Sequence, residues 1–227
     1  MRLLSVIVSH DRCELTRVAV ASYKATVTVP HTLIVVDNGS TDGTADYLDE
    51  ALRHDRIDHA VLLGENRYPG AAVNYAWANG LALVPGTTHL HRSDNDVLYL
   101  PGWCDEVQLA FGLRRRVCQV GLMLGKYEAG ATNVGGNCVV DVGVWRSGVR
   151  WREEPWPELA GAATEDTYYS HDVTEAGYRV ARVEQECVRH LGWDFDAYPD
   201  YYRRTAAERE LTEPQLRAIF ADMQRRA

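Results

Sequence analysis

Two aspartates separated by one residue are the feature of this 227-residue chain that most clearly points to chemistry. They are Asp94 and Asp96, with Asn95 between them. In an extended segment, side chains at positions i and i+2 point to the same side, so the two carboxylates would project together from backbone positions about 6–7 Å apart. That spacing suits one divalent cation, held directly or through water, because such cations usually bind one or two carboxylates and substrate phosphates. The alternative is an ordinary loop in which Asp and Asn stabilise a turn.

Strand and helix patterns alternate through the first half of the chain and must position this pair. Short apolar, β-branched runs predict buried strands at 3–8, 32–36 and 60–63. The segments between and after them predict helices at 14–24, 42–53 and 71–83. This alternation indicates a mostly parallel sheet with helices on its faces. Ser40 or Thr41 is expected to cap the second helix.

Polar and acidic residues follow the predicted strands. Residues 9–12 follow the first strand, Asp37 ends the second, and Asp94 and Asp96 lie at a further strand end. Because ligands of such sheets bind beyond the carboxyl ends of the strands, we expect a binding site where these residues meet.

The second half of the chain has a less regular pattern. We expect strands at 117–124, 137–145 and 178–188, helices at 101–113 and 164–176, and loops at 126–136 and 150–163. A capping box at 212–215 opens a last helix, whose apolar stripe is Leu216, Ile219, Phe220 and Met223. Since no repeat or linker is visible, we expect one α/β domain over residues 1–200, with a nucleotide-binding half at about 1–100 and an acceptor half at about 101–200, followed by a helical extension at 201–227.

Composition excludes several classes of protein. The formal net charge is −8, which argues against a broad nucleic-acid-binding surface. No run reaches the 18 apolar residues of a membrane span, so no transmembrane segment is expected. The five cysteines are scattered and form no Cys-x-x-Cys pair, which is typical of reduced thiols in a cytoplasmic protein. The last helix could dock on the domain or form a homodimer contact.

Taken together, five ordered segments resemble the family 2 glycosyltransferases, which have the GT-A fold. The segment 33–44, Leu-Ile-Val-Val-Asp-Asn-Gly-Ser-Thr-Asp-Gly-Thr, is very close to the second-strand motif of that family. Residues 4–12 are similar to its opening strand and nucleotide loop, although His10 stands where Tyr is usual and Asp11 where Asn is usual. Residues 66–74, 94–96 and 165–166 fall where the family has an Asn-x-Gly stretch, an Asp-x-Asp motif and an acidic pair, and His190 falls where many members have a metal-binding histidine. The resemblance implies a Rossmann-like, mixed but mostly parallel sheet flanked by helices in a single domain.

The resemblance also implies roles for individual residues. Metal ligands would be Asp96, His190 and Asp94, with Mn²⁺ or Mg²⁺ as the cofactor. Contacts with the nucleotide-sugar donor would come from Ser9, His10, Asp11, Asp37, Asn66, Gly70, Asn74 and Asp94. Asp166 is the candidate catalytic base, with Glu165 as its neighbour and Asp172 as a weaker candidate. The structural alternatives are that Glu165 and Asp166 only charge the first turn of a helix, after Thr164 as its cap, and that His190 is a core residue.

The function implied is transfer of a sugar from a UDP-, GDP- or dTDP-sugar to a hydroxyl acceptor. One base without a protein nucleophile favours a single displacement with inversion. Two alternatives remain, a sugar-1-phosphate nucleotidyltransferase and a non-catalytic nucleotide-sugar binding protein. The segment 9–12 contains no glycine, which argues against the nucleotidyltransferase, since that class is expected to have a Gly-rich phosphate loop there. Among the tryptophans, Trp103 and Trp145 are expected in the core, and Trp151 and Trp156 near the acceptor.

Overall fold

The computed structural model of the chain describes residues 1–113, 116–123, 134–153, 165–193, 196, 199, 203, 206–207 and 211–218. Several expectations lie outside these residues: the cap Thr164, Trp156, most of the loop 126–136, and the apolar stripe beyond Leu216. The strands are β1 (Leu3–Ser9), β2 (His31–Asp37), β3 (His59–Leu62), β4 (His89–Asp94), β5 (Val97–Tyr99), β6 (Val117–Gly121), β7 (Cys138–Asp141), β8 (Arg179–Arg182) and β9 (Val188–His190). The helices are α1 (Cys13–Thr26), α2 (Thr44–Arg53), α3 (Tyr68–Leu83), α4 (Trp103–Leu113), α5 (Val142–Arg146) and α6 (Glu165–Glu175), and a 3₁₀ turn follows at Leu191–Trp193.

Seven strands form a mixed sheet in the order β3-β2-β1-β4-β7-β6-β8. The pairs β1–β2, β1–β4, β2–β3 and β6–β8 are parallel, and β7 is antiparallel to both β4 and β6. The expected mixed, mostly parallel sheet is therefore confirmed. In the register of the parallel half, Ser9 pairs with Asp37 and Val8 pairs with Asp94. The carboxyl ends of β1, β2 and β4 consequently lie side by side and bring their polar residues to one edge.

A second, two-stranded sheet extends this edge. Strand β5 pairs antiparallel with β9, with Val97 opposite His190. The N–H of Leu191 donates to the backbone oxygen of Asp96 at 2.7 Å. This small sheet therefore joins two segments that are far apart along the chain.

Two apolar clusters cover the two faces of the large sheet. One contains Tyr23, Tyr99 and Trp103, and the other contains Trp77 and Trp151. Burial of this apolar surface, at about 25 cal/mol per Å², is the main favourable term for the fold. All five cysteines are free, and all but Cys118 are fully buried. In the described part of the chain, no helix is long and apolar enough to span a membrane.

Two predicted strands differ from the structure. The segment predicted as a strand at 137–145 is a strand only to Asp141 and then becomes α5. The Asp141 side chain accepts a hydrogen bond from the N–H of Gly143 at 2.6 Å and caps that helix, which ends the strand. The segment predicted at 178–188 is two short strands, β8 and β9, which belong to different sheets.

The expected cap of α2 was also wrong. Its N-cap is Gly43, with φ 85°, a left-handed conformation that glycine adopts without strain. Asp42 supplies the capping oxygens instead, accepting from the N–H of Thr44 at 3.2 Å and from the N–H of Cys13 at 2.7 Å. One carboxylate thus serves the first turns of both α2 and α1.

The burial of the tryptophans only partly follows the expectation. Trp103 is fully buried, as predicted, and Trp145 is half-buried. Trp151 is 1% exposed and stacks on Tyr169, with ring centroids 3.9 Å apart and planes 4° apart. The expectation that Trp151 lies on an acceptor-facing surface was therefore wrong, because its ring fills the core.

Burial of His91 on β4 makes the fold sensitive to acid. Its ring is stacked on Tyr23 and contacts Trp103, and its Nε2 lies 3.1 Å from the hydroxyl of Tyr99. Burial lowers the pKa of His91 from 6.5 to about 3. The folded protein therefore keeps this imidazole neutral over a pH range in which the unfolded chain binds a proton.

We predict that the free energy of unfolding falls as the pH drops from 6.5 towards 3. The slope contributed by His91 is up to about 1.4 kcal/mol per pH unit, because the unfolded state binds the extra proton. His91→Gln should flatten this slope, as measured by urea unfolding at a series of pH values. His54→Gln, at an exposed position, is the matched control. Equal slopes for the parent and His91→Gln would contradict the assignment.

Candidate active site

The loops after β1, β2 and β3 are joined by hydrogen bonds. Asp11 has a left-handed backbone (φ 47°) and accepts bonds from the N–H and hydroxyl of Thr41, at 2.6 and 3.1 Å. Asn38 donates to Asn66 Oδ1 at 3.0 Å and accepts from the N–H of Arg67 at 2.9 Å. These bonds hold the three loops in one arrangement and bring the predicted donor residues Asp11 and Asn66 to the same edge of the sheet.

Asp37 and His10 lie at this edge as the sequence predicts. Asp37 is 4% exposed, and its Oδ1 accepts a hydrogen bond from the N–H of Ser40 at 2.9 Å. This bond closes an Asx turn and engages one of the two carboxylate oxygens. His10 is partly exposed, and its Nε2 lies 3.9 Å from Asp11 Oδ2. A turn-stabilising role and a nucleoside contact are compatible for Asp37, because each uses a different oxygen.

Asp94, Asp96 and His190 form a compact group, which we call the acid–histidine corner. Each offers one ligand atom, and these atoms lie within 4.8 Å of one another. Asp96 is 3% exposed, and its Oδ1 lies 3.4 Å from His190 Nε2. That oxygen is buried and accepts no hydrogen bond within the described part of the chain. A buried carboxylate oxygen in need of a partner, beside a second carboxylate and an imidazole, fits a divalent cation such as Mn²⁺ or Mg²⁺.

Close packing around Gly192 completes the acid–histidine corner. A Cβ atom at this position would lie 2.7 Å from Cε1 of His190 and would collide with Oδ2 of Asp96. Only glycine therefore lets the 3₁₀ turn after β9 pack against both side chains. Gly192 was not predicted as a site residue. Its position two residues after His190 is the one feature of the sequence that could have indicated close packing there.

Asn95 explains why the two aspartates face the same side. Strand β4 ends at Asp94, and the chain bends before β5 begins at Val97. The side chain of Asn95 turns inward and donates to the hydroxyls of Ser9 and Thr16, at 3.2 and 2.9 Å. Ser9 is fully buried and accepts the hydrogen bond of Asn95. Its predicted contact with the nucleoside stays a prediction.

Two further residues hold Asp94, and the sequence did not reveal either. Asn137 accepts from the N–H of Asp94 at 2.9 Å and donates to its Oδ2 at 3.2 Å. Arg92, two residues earlier on β4, donates to Asp94 Oδ1 at 2.9 Å. Arg92 is 2% exposed and lies 4.6 Å from the ring centroid of Trp151. Its signal in the sequence is a charged residue inside a strand that the sheet buries on both faces.

Arg92 also binds the acidic pair at the start of α6. Its Nη2 donates to Glu165 Oε1 at 2.7 Å. Burial would lower the pKa of Arg92, but Asp94, Glu165 and Asp166 raise it above its usual value, so the guanidinium stays charged. Burial also raises the pKa of Glu165, and the charge of Arg92 opposes that rise. The structure thus brings the acidic pair and the Asp-x-Asp segment together around one buried cation.

Arg12 contacts the carboxylate oxygen of Asp96 that does not face His190. Its Nη1 lies 2.9 Å from Asp96 Oδ2, and its side chain is 29% exposed. Asp96 therefore has one oxygen facing a guanidinium and the other facing His190. Arg12 belongs to the segment 9–12 that the sequence places at the binding site, although no individual contact was predicted for it.

The segment 151–153 is contacted from two helices. Gly70 and Asn74 belong to α3, and Asp172 belongs to α6. Asn74 donates to the backbone oxygen of Trp151 and to Glu153, both at 2.7 Å. A Cβ atom at Gly70 would collide with the backbone oxygen of Arg152. Asp172 accepts bonds from Arg152 at 3.2 and 3.3 Å. These contacts fasten residues 151–153 to α3 and α6, and the predicted donor contacts of Gly70 and Asn74 stay predictions.

Comparison with known proteins supports the same family. The family model described as glycosyl transferase family 2 matches residues 5–133, more than half of the chain. No curated protein sequence matches significantly.

Among solved structures, the mannosyltransferase PcManGT from Pyrobaculum calidifontis, in complex with GDP-Man and Mn²⁺, superposes with a TM-score of 0.67. It is 15% identical, and the match covers 97% of this chain and 68% of that one. TarS 1-349 from S. aureus has a TM-score of 0.63 at 14% identity, over 97% of this chain and 71% of that one. The same TarS piece in complex with UDP-GlcNAc has a TM-score of 0.61 at 14% identity, over 98% and 71%.

At these identities the structural likeness establishes the fold, and the family model establishes the relationship. The mixed seven-stranded sheet flanked by helices is shared with GT-A enzymes. The chain belongs to glycosyl transferase family 2, has the GT-A fold and is a glycosyltransferase.

Proposed function

We propose that the enzyme transfers a sugar from a nucleotide diphosphate donor to a hydroxyl acceptor, in a metal-dependent single displacement with inversion. The observation that carries this proposal is the acid–histidine corner, whose ligand atoms lie within 4.8 Å of one another at the ends of the parallel strands. The nucleotide residues come from the proposed donor half at about 1–100, and the acidic pair comes from the proposed acceptor half at about 101–200.

Asp94, Asp96 and His190 would hold the cation. A divalent metal bound there would stabilise, as a Lewis acid, the negative charge that develops on the leaving diphosphate. An imidazole ligand favours Mn²⁺ over Mg²⁺. The Mn²⁺ in the PcManGT complex supports the same choice by analogy. Asn137 and Arg92 would keep Asp94 oriented, because outer partners of ligands fix their geometry.

A nucleoside fits the joined loops after β1, β2 and β3. Asp37, Asp11 and His10 offer carboxylate oxygens and an imidazole ring for recognition of the ribose and base. GDP-Man and UDP-GlcNAc are bound by the two structural neighbours, which supports a nucleotide-sugar donor for this enzyme as well. The proposed donor class is therefore a UDP-, GDP- or dTDP-sugar.

Asp166 would be the general base that takes the proton from the acceptor hydroxyl. Glu165 is directed towards Arg92, at 2.7 Å. Neighbouring residues on a helix point about 100° apart, so Asp166 faces a different direction from Glu165. In this division of roles Glu165 anchors the start of α6 on the buried cation, and Asp166 serves the reaction.

We predict that Asp96→Ala abolishes metal-dependent nucleotide binding in a folded protein. Loss of outer partners already costs about 10–100-fold in metal affinity, so loss of a charged ligand should cost more than about 100-fold. Calorimetric titration of GDP, UDP and dTDP with Mn²⁺ measures the effect. Asp46→Ala removes an exposed carboxylate on α2 and serves as the control. Unchanged metal-dependent affinity in folded Asp96→Ala would contradict the assignment of Asp96 as a metal ligand.

His190→Ala should weaken Mn²⁺ binding less than Asp96→Ala does, by about tenfold, since it removes a neutral ligand and leaves both carboxylates. Its effect on Mg²⁺ should be smaller than on Mn²⁺, because an imidazole suits Mn²⁺ better. Titration of both metals distinguishes the two roles of this residue. If the variant binds Mn²⁺ as tightly as the parent, His190 is structural.

Asp166→Asn should keep donor binding and lower the rate of transfer by about 10²–10⁴-fold, since a general base acts in the transition state. Donor affinity is measured by titration, and turnover by transfer or by slow hydrolysis of the donor sugar. Glu175→Gln removes the charge of an exposed carboxylate on the same helix and is the matched control. Parental turnover in Asp166→Asn would exclude Asp166 as the base.

A further inference from the structure

The side chain of Arg12 extends from a fixed point beside the acid–histidine corner. Its backbone oxygen accepts bonds from the N–H and hydroxyl of Thr16, at 2.9 and 3.0 Å, at the start of α1. The preceding Asp11 is held by Ser40 and Thr41 of the next loop. The backbone of Arg12 is therefore anchored, whereas its side chain is 29% exposed and long enough to reach more than one partner.

Asp96 has too little solvent contact to carry its charge without a partner. Its side chain is 4% exposed, and the guanidinium of Arg12 lies 2.9 Å from Oδ2. A buried carboxylate needs such a cation or a strong set of hydrogen bonds. Arg12 thus supplies a positive charge beside this carboxylate.

Two cations cannot share this carboxylate without repulsion. A divalent ion held by Asp96 Oδ1, Asp94 and His190 would lie on the same carboxylate as the Arg12 guanidinium. Like charges a few ångströms apart in a poorly solvated site disfavour each other strongly. A metal bound there would therefore weaken the Arg12–Asp96 pair and favour rotation of Arg12 towards another anion nearby.

We propose that Arg12 exchanges partners, from Asp96 in the donor-free enzyme to the diphosphate of the donor once metal and donor bind. The inference rests on the proposed function, which provides the diphosphate. Arginine suits this role because its planar guanidinium binds phosphate oxygens with two parallel hydrogen bonds. Arg12 then opposes binding of the metal alone and supports binding of metal and nucleotide together. The two ligands consequently strengthen each other's binding, and part of that coupling passes through one side chain.

The test measures two affinities separately, that for Mn²⁺ alone and that for a nucleotide in the presence of Mn²⁺. Arg12 should lower the first and raise the second. In Arg12→Met, Mn²⁺ alone should bind about 3- to 10-fold more tightly, because the competing cation is gone. At saturating Mn²⁺, the best-binding nucleotide among GDP, UDP and dTDP should bind about tenfold more weakly or worse, because a charge-assisted contact is lost. Free Mn²⁺ is measured by electron paramagnetic resonance, and nucleotide binding by calorimetry.

Two companion variants make the result specific. Arg12→Lys keeps a positive charge but not the planar guanidinium, so both shifts should have the same signs and be smaller. If Arg12→Met fails to fold, the signs in Arg12→Lys decide the question. Arg17→Met removes an arginine of α1, the helix that follows Arg12. The side chain of Arg17 lies 3.7 Å from Glu50, and its loss should change neither affinity.

The outcomes also separate this inference from the proposed function. A parent enzyme that binds Mn²⁺ with a nucleotide, together with Arg12 variants in which both affinities fall or neither changes, would overturn the partner exchange and leave the function standing. A parent that binds none of the three nucleotides with Mn²⁺ would overturn both. Opposite shifts in Arg12→Met and none in Arg17→Met would support the exchange.

Discussion

The arrangement of the candidate active site depends on one interaction, in which the buried guanidinium of Arg92 binds two carboxylates. It lies within 2.9 Å of Asp94 and 2.7 Å of Glu165, and it stacks above Trp151. Parallel strands that end at one edge collect carboxylates there, and their mutual repulsion in a poorly solvated place must be compensated. Arg92 provides that compensation from within β4 itself, so the strand that ends in Asp94 also carries the counter-charge of that carboxylate and of Glu165. A hydrophobic residue at this position would leave two acidic groups from different elements without a common partner.

The same residue sets the distance between the two parts of the proposed reaction. Asp94 belongs to the group that would hold the cation, and Glu165 precedes the proposed base. Because one Nη2 atom binds both carboxylates, the start of α6 cannot move away from the end of β4 without breaking a charged hydrogen bond. Gly136 packs against this guanidinium so closely that a Cβ atom would collide with it. The arrangement is therefore fixed by packing as well as by charge, which suits a site that must hold its groups before substrate arrives.

Hydrophobic patterns in the sequence correctly predicted those strands and helices whose formation depends on neighbouring residues in the chain. The buried strands β1 and β2 and the helix α1 were found within two residues of their ends, and the Asp-x-Asp segment was placed correctly at a strand end. Family resemblance added Glu165, Asp166 and His190. What could not be predicted depends on contacts between distant residues: the Asn137 bridge to Asp94, the Arg92 link to Glu165 and the inward turn of Asn95 towards Ser9. The change from strand to helix at Asp141 was missed because a single capping bond decided against an apolar run that is compatible with either structure. The burial of Trp151 was missed because its neighbours in sequence are polar, whereas its neighbours in space are Tyr169 and Trp77.

The pairing of β5 with β9 has a consequence for the order in which the molecule becomes functional. Val97 and His190 lie opposite each other, although residues 98–189 separate them in the chain. Such a pairing is a non-local contact, which forms only when the intervening segment has brought β9 beside β5. The acid–histidine corner is therefore incomplete until β9 docks beside β5. A cation that requires all three side chains would bind the finished protein and not its partly folded precursors, and by mass action it would draw the last third of the chain into place. Loading of the metal would then mark the completion of folding as well as readiness for catalysis.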